Sequence, residues 1–120
     1  MTNKINQNLI SSLINNNDKV LDIGCGNGDL LYYLEKTKNI QGQGIEISHL
    51  GVKESVTKGL SVIQGDADED LVSFTDNTFD VVILSDTLQA THKPKEVLKQ
   101  MLRIGKRCII CIPNFGYWKY

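Results

Sequence analysis

A doubly wound, mainly parallel α/β sheet is the fold class this sequence predicts, on three observations. Apolar segments end near positions 23, 46, 64 and 84, roughly every twenty residues. Between them the apolar residues recur at helical spacing, so strand and helix alternate as in βα units, whose parallel strands need a crossover helix. The first apolar segment, Val20-Leu21-Asp22-Ile23, opens into glycines at 24, 26 and 28, and a stripe of Leu30, Leu31 and Leu34 follows at once. That order reads as a buried strand turning tightly into a helix whose free N–H groups face the turn.

In chain order, residues 3–14 carry Ile5, Leu9, Ile10, Leu13 and Ile14 at helical spacing, with Thr2 as the expected N-cap and Asn15-Asn16-Asn17 as the stop. This helix is expected to cover a sheet face or the open end of a cleft. The first strand spans Lys19–Ile23, and the helix after Gly28 runs to about Lys36, with Tyr32, Tyr33, Glu35 and Lys36 toward solvent. A second strand is expected over residues 43–47, then a helix over 48–58 stopped by Gly59. The third strand, residues 61–64, delivers Gly65-Asp66-Ala67-Asp68, and the acids Asp68, Glu69 and Asp70 read as a solvated face. After a turn at Asp76-Asn77-Thr78, residues 79–84, apolar but for Asp80, read as a buried strand. The polar stretch from Ser85 to His92 falls at the carboxyl edge of the sheet, where α/β proteins bind ligands. Pro94 opens a helix with Val97, Leu98, Met101 and Leu102 as its stripe and Gly105 after it. Residues 107–112 read as a buried fifth strand, and the tail that follows holds Phe115, Tyr117, Trp118 and Tyr120, more aromatic surface than a frayed end needs.

Composition bounds the function. A chain of 120 residues makes one domain, burying roughly two-thirds of its unfolded surface. A formal net charge of −1 with no basic block argues against nucleic acid as partner. Neither a bilayer-spanning run nor the apolar stretch of a signal peptide is present, so the sequence predicts a cytoplasmic protein without a membrane partner. Cys25, Cys108 and Cys111 make an odd count. Cys108 and Cys111 form a C-x-x-C, but three residues apart on a strand they point to opposite faces, so core packing is expected instead of metal or redox chemistry.

The chemistry is concentrated at the strand ends. Glycines at 24, 26 and 28 let a ligand approach the main chain without meeting a Cβ. Glu46 lies twenty residues beyond Gly26, the usual offset of an acid that grips ribose hydroxyls, and Asp66 ends the next strand on the same edge. Together they indicate a nucleoside ligand. A dinucleotide fingerprint would place its third glycine at position 29, which is Asp29, and this disfavours a nicotinamide dehydrogenase. Asp22 and Asp29 would repel a pyrophosphate, whereas a ligand with a sulfonium and an ammonium group suits them. The charges suit S-adenosylmethionine.

The segments Val20 to Gly28, Gly44-Ile45-Glu46 and Gln64-Gly65-Asp66-Ala67-Asp68 resemble those of class I S-adenosylmethionine-dependent methyltransferases. Within that superfamily, residues 62–66, 79–91 and the run Ile112-Pro113-Asn114-Phe115-Gly116-Tyr117-Trp118 are similar to the MetW family of methionine biosynthesis. The resemblance implies a Rossmann-like fold, and since the superfamily sheet has two further strands, it leads us to expect a chain truncated at the C-terminus. It implies one S-adenosylmethionine-binding domain over residues 1–120, with S-adenosylhomocysteine as product. Its implied cofactor residues are Asp22 for the amino group, Gly24, Cys25, Gly26 and Asn27 in the turn, Glu46 for the ribose, Ile47, Asp66 and Ala67 around adenine, and Ser85. The Asn/Asp-Pro-Pro-Tyr segment of nucleobase-amino methyltransferases is absent after the fourth strand. Gln89 and His92 are the candidates nearest an acceptor, and no catalytic residue is assigned. A small-molecule methyl acceptor is expected, as is a homo-oligomer through the C-terminal edge. The family's association with homoserine O-acyltransferases leaves a second possibility open, a non-catalytic partner subunit that senses S-adenosylmethionine.

Overall fold

The computed structural model describes residues 4–85 and 91–111. Its elements run α1 (Lys4–Ser12), β1 (Lys19–Ile23), α2 (Asp29–Lys38), β2 (Gln41–Glu46), α3 (His49–Thr57), β3 (Val62–Gln64), α4 (Ala67–Asp70), a 3₁₀ turn (Leu71–Ser73), β4 (Phe79–Ser85), α5 (Pro94–Ile104) and β5 (Gly105–Cys111). The five strands pair in the order β3-β2-β1-β4-β5, every pair parallel. The fold is the expected doubly wound sheet. After β1 the chain adds β2 and β3 on one side, then crosses to place β4 on the other, and an α/β sheet opens a ligand crevice at the carboxyl ends where its order reverses in this way.

β1 holds the centre because Val20, Leu21 and Ile23 fill both of its faces. Val20, Val81 and Ile83 pack with Ile10, Ile14, Leu31 and Leu34 against α1, α2 and the turn after α1. Leu21, Ile23, Val82 and Leu84 pack with Val97, Met101 and Ile104 of α5 on the other face. Adjacent residues of one strand thus enter different cores, the period of two expected of a sheet covered on both sides. Arg103 staples the segment before β4 to α5: its guanidinium donates to the carbonyls of Phe74 and Leu71 at 2.7 and 3.0 Å and to Asp76 Oδ1 at 2.8 Å. Among the described residues no helix is long and apolar enough to cross a membrane.

Two readings of the C-terminal part need correction. Leu102 is 71 % exposed, and the buried face of α5 is Val97, Met101 and Ile104. Each residue turns a helix by about 100°, so the position after Met101 already leaves the face. Gly105 follows α5 as expected, with extended backbone at φ −118°, and also begins β5, where a Cβ would lie 2.5 Å from Val82 Cγ2. β5 is not a fully buried strand, because β4 is its one neighbour among the described residues, and Lys106, Arg107 and Ile110 are exposed. Its cysteines do face opposite ways, Cys108 packing on the α5 core and Cys111 on the α1–α2 core. Burial pushes the Cys108 thiol above its ordinary value. The Thr2 cap and the aromatic tail from residue 112 lie outside the described residues.

Candidate functional site

The turn between β1 and α2 is held by its neighbours, atom by atom. Gly24, Gly26 and Gly28 all have positive φ, at 72°, 59° and 86°. The N–H groups of Gly24 and Cys25 donate to the Ile45 carbonyl of β2 at 2.8 and 3.2 Å. Glu46, only 9 % exposed, spans two backbones: Oε1 accepts the Gly26 N–H at 2.8 Å and Oε2 the Ser48 N–H at 2.9 Å. From α3, the buried Ser55 hydroxyl donates to the Gly26 carbonyl at 3.1 Å. Lys58 donates to the Asn27 carbonyl at 2.6 Å and pairs with Asp29 at 3.3 Å. The Asn27 side chain closes the turn by accepting the Asp29 N–H at 3.1 Å.

Two glycines of this turn meet opposite surroundings. A Cβ on Gly28 would lie 2.4 Å from Leu60 Cδ1 and 2.8 Å from Ser55 Oγ, so protein fills that side. A Cβ on Gly26 would meet nothing within 4 Å, leaving the main chain bare beside Glu46. Next to this turn lies a cleft with about 490 Å³ of empty volume, part of it open to solvent. Ile23 and Gly24 line it from β1, Ile45, Glu46 and Ile47 from β2, Gly65 to Asp68 from the end of β3, and Thr91 from the stretch before α5.

The family model described as methionine biosynthesis protein MetW matches residues 4–120. The chain belongs to the MetW family. It is 35% identical over 125 residues, 98% of its length, to the bifunctional methionine biosynthesis protein MetXA/MetW of Rhodopirellula baltica, and spans 20% of that relative. Among solved structures, a TehB-like S-adenosylmethionine-dependent methyltransferase of Corynebacterium glutamicum superposes with TM-score 0.76 at 22% identity, covering 95% of this chain and 65% of that one. The [4+2]-cyclase SpnF superposes with TM-score 0.73, also at 22% identity, covering 82% and 39%. Those likenesses establish the fold, and the cyclase among them shows that this fold alone does not set the reaction.

In the MetW-family chain, five of the residues singled out from sequence line the cleft together: Gly24, Glu46, Ile47, Asp66 and Ala67. Ile47 is 64 % exposed, an apolar surface at the cleft mouth. Gly26 and Asn27 form the turn beside it. Asp22, 1 % exposed, sits on β1 with the α1–α2 core. Cys25 turns its side chain into that same core, so its backbone alone belongs to the turn. Burial, reinforced by the Asp22 carboxylate, pushes the Cys25 thiol up to about 12, which keeps it protonated and unreactive at neutral pH. Ser85 ends β4 in register with Cys111. His92 is exposed, and its backbone N–H donates to Asp68. Gln89 lies outside the described residues.

The acid run after β3 is more than a solvated face. Asp66 caps α4 by accepting the Asp68 N–H at 2.9 Å, and its own N–H donates to Asp70 Oδ2 at 2.6 Å. Asp68 accepts the N–H groups of His92 and Lys93, both at 2.9 Å. The His92 bond, with the Lys93 bond adding to it, holds the Asp68 carboxyl below its ordinary value. Sequence reasoning also missed Ser55 and Lys58, whereas Thr91 belongs to the polar stretch expected at the ligand edge. The available signal was Gly51 and Ser55, small residues four apart and buried on one face of α3: a Cβ on Gly51 would lie 2.9 Å from the Gly26 carbonyl.

Proposed function

We propose that this chain binds S-adenosylmethionine in the cleft at the carboxyl ends of β1, β2 and β3, and serves methyl transfer to a small molecule in methionine biosynthesis. The observation that carries this reading is the pairing of a bare main-chain surface at Gly26 with the Glu46 carboxylate hydrogen-bonded to that same residue. A cradle that a single Cβ would fill fits a ligand lying flat on the backbone. Each oxygen of Glu46 accepts one backbone N–H, and a carboxylate has about four acceptor positions, so both oxygens retain capacity for vicinal ribose hydroxyls. Ile47 and Ala67 offer apolar contact to the base, Asp66 its polar edge, and Asp22 negative charge on the methionine side. The cofactor would bring the electrophilic methyl group; the chain's share is alignment and exclusion of water. Residues 1–120 act in this reading as one binding domain.

Thermal unfolding with S-adenosylmethionine, S-adenosylhomocysteine and NAD tests it. At about 100 times the dissociation constant a native-state ligand adds roughly 2.7 kcal/mol, a shift of several degrees for a domain of this size. A shift with the first two and none with NAD is expected. A shift with NAD alone, or with no ligand, overturns the reading. Gly26→Ala should fold, since its Cβ has room and the left-handed backbone at φ 59° costs only about 1–2 kcal/mol, and should lose the shift.

A second reading is favoured by the Rhodopirellula baltica relative, whose name joins MetXA and MetW on one chain. There the domain is the S-adenosylmethionine-sensing partner of a homoserine O-acyltransferase. It requires co-purification with such an enzyme and a change in acyltransferase rate on adding S-adenosylmethionine. An unchanged rate removes it.

A further inference from the structure

One wall of the cleft joins segments far apart in the chain: Asp66, Ala67 and Asp68 at the end of β3, and Thr91 before α5. A single side chain ties them. Asp68 Oδ2 accepts the His92 N–H and Oδ1 the Lys93 N–H, each at 2.9 Å. With both oxygens engaged by successive amides, the carboxylate fixes where the backbone sits and how it is turned, because rotating it breaks one bond or the other. Thr91 is the next residue along, one Cα step of about 3.8 Å from His92, so the same tie sets its place in the wall. On the far side Pro94 opens α5, which Val97 and Met101 bury in the core, and residues 91–93 thus form a short strut between two anchors. The Lys93–Glu69 ion pair at 3.2 Å runs alongside, but both side chains are mostly exposed, and water screens such pairs.

We propose that Asp68 is a positioning residue for the adenosyl site: through the His92 and Lys93 amides it holds Thr91 against the cleft and so sets how long an adenosyl ligand stays bound. The inference rests on the cofactor reading above. Its chemistry is backbone recognition by a carboxylate, and Glu69, one residue away with the same charge, does not share it.

Binding and dissociation of S-adenosylhomocysteine to the full-length protein test this, comparing wild type with Asp68→Asn, Asp68→Glu and Glu69→Gln. In Asp68→Asn an amide NH₂ replaces one acceptor and opposes a backbone N–H. Affinity should fall roughly tenfold, the equivalent of one lost charge-assisted hydrogen bond, through faster dissociation with the association rate little changed. Asp68→Glu, which keeps both acceptors, should recover part of the loss, and Glu69→Gln should match wild type. Equal dissociation rates for folded Asp68→Asn and wild type overturn the positioning role and leave the cofactor reading intact. If wild type does not bind S-adenosylhomocysteine, the cofactor reading fails and this inference with it. Should Asp68→Asn not fold, hydrogen exchange at the His92 and Lys93 amides of the wild type decides: slow exchange, slowed further by S-adenosylhomocysteine, supports the tie, and free exchange in both states overturns it.

Discussion

The glycine turn after β1 and the α4 segment after β3 border the same cleft, yet they are held by opposite means. The turn is fastened from behind by buried groups: the Ile45 carbonyl, the nearly buried Glu46 carboxylate and the Ser55 hydroxyl. The α4 wall is fastened from the side by the partly exposed Asp68. Hydrogen bonds shielded from water keep their strength and are costly to leave unmade, whereas exposed ones exchange readily with solvent. One wall is therefore continuous with the core, and the other can yield without disturbing it.

Substitutions can break that contrast. The largest effect should come from Gly28→Ala, which adds left-handed strain and drives a methyl into Leu60 and Ser55. Urea unfolding should show a loss of about 3 kcal/mol, the sum of a positive-φ penalty and overpacking. Glu46→Gln should cost about 1–3 kcal/mol, because one of its two backbone amides loses a charged acceptor. A cost below about 0.5 kcal/mol would mean that the turn stands without Glu46. The Asp68 wall should respond to acid. Its carboxyl titrates below its ordinary value in the folded chain, so its contribution is present above the unfolded carboxylate pKa and fades as pH falls through the folded one. The Lys93 amide NMR shift should hold as pH falls through the ordinary carboxylate range and move only in more acid solution. A Lys93 shift that moves already within the ordinary range would mean that these amides do not hold the Asp68 carboxylate. The smallest effect belongs to Leu102→Lys, expected within about 0.5 kcal/mol of wild type because the side chain lies outside the α5 core.

The strand ends were legible in the sequence because Val20 to Ile23 and Phe79 to Leu84, each apolar but for one aspartate, suit a sheet covered on both faces. The glycine turn was legible because its spacing is local. What could not be read depends on distance or rotation. Asp68 looks like any acid in an acid run, and its role comes from amides 24 and 25 residues away. Leu102 looks like part of a stripe, and its exposure follows from how α5 is rolled against β4 and β5. Gly105 reads as the residue that ends a helix, which it is, but its second role, leaving room for Val82 across the strand pair, could not be read.

The strand order also governs how the polypeptide is made. Val20 of β1 pairs on one side with Gly42 and on the other with Val81, 61 positions downstream. At synthesis rates of roughly 5–20 residues per second, the second partner follows β1 out of the ribosome after about 3–12 seconds. Throughout that interval the first three strands, which carry nearly all of the cleft, can assemble in the order they emerge, while one flank of β1 stays bare. For a nascent chain this is the period most open to wrong pairing, and it closes only when β4 arrives.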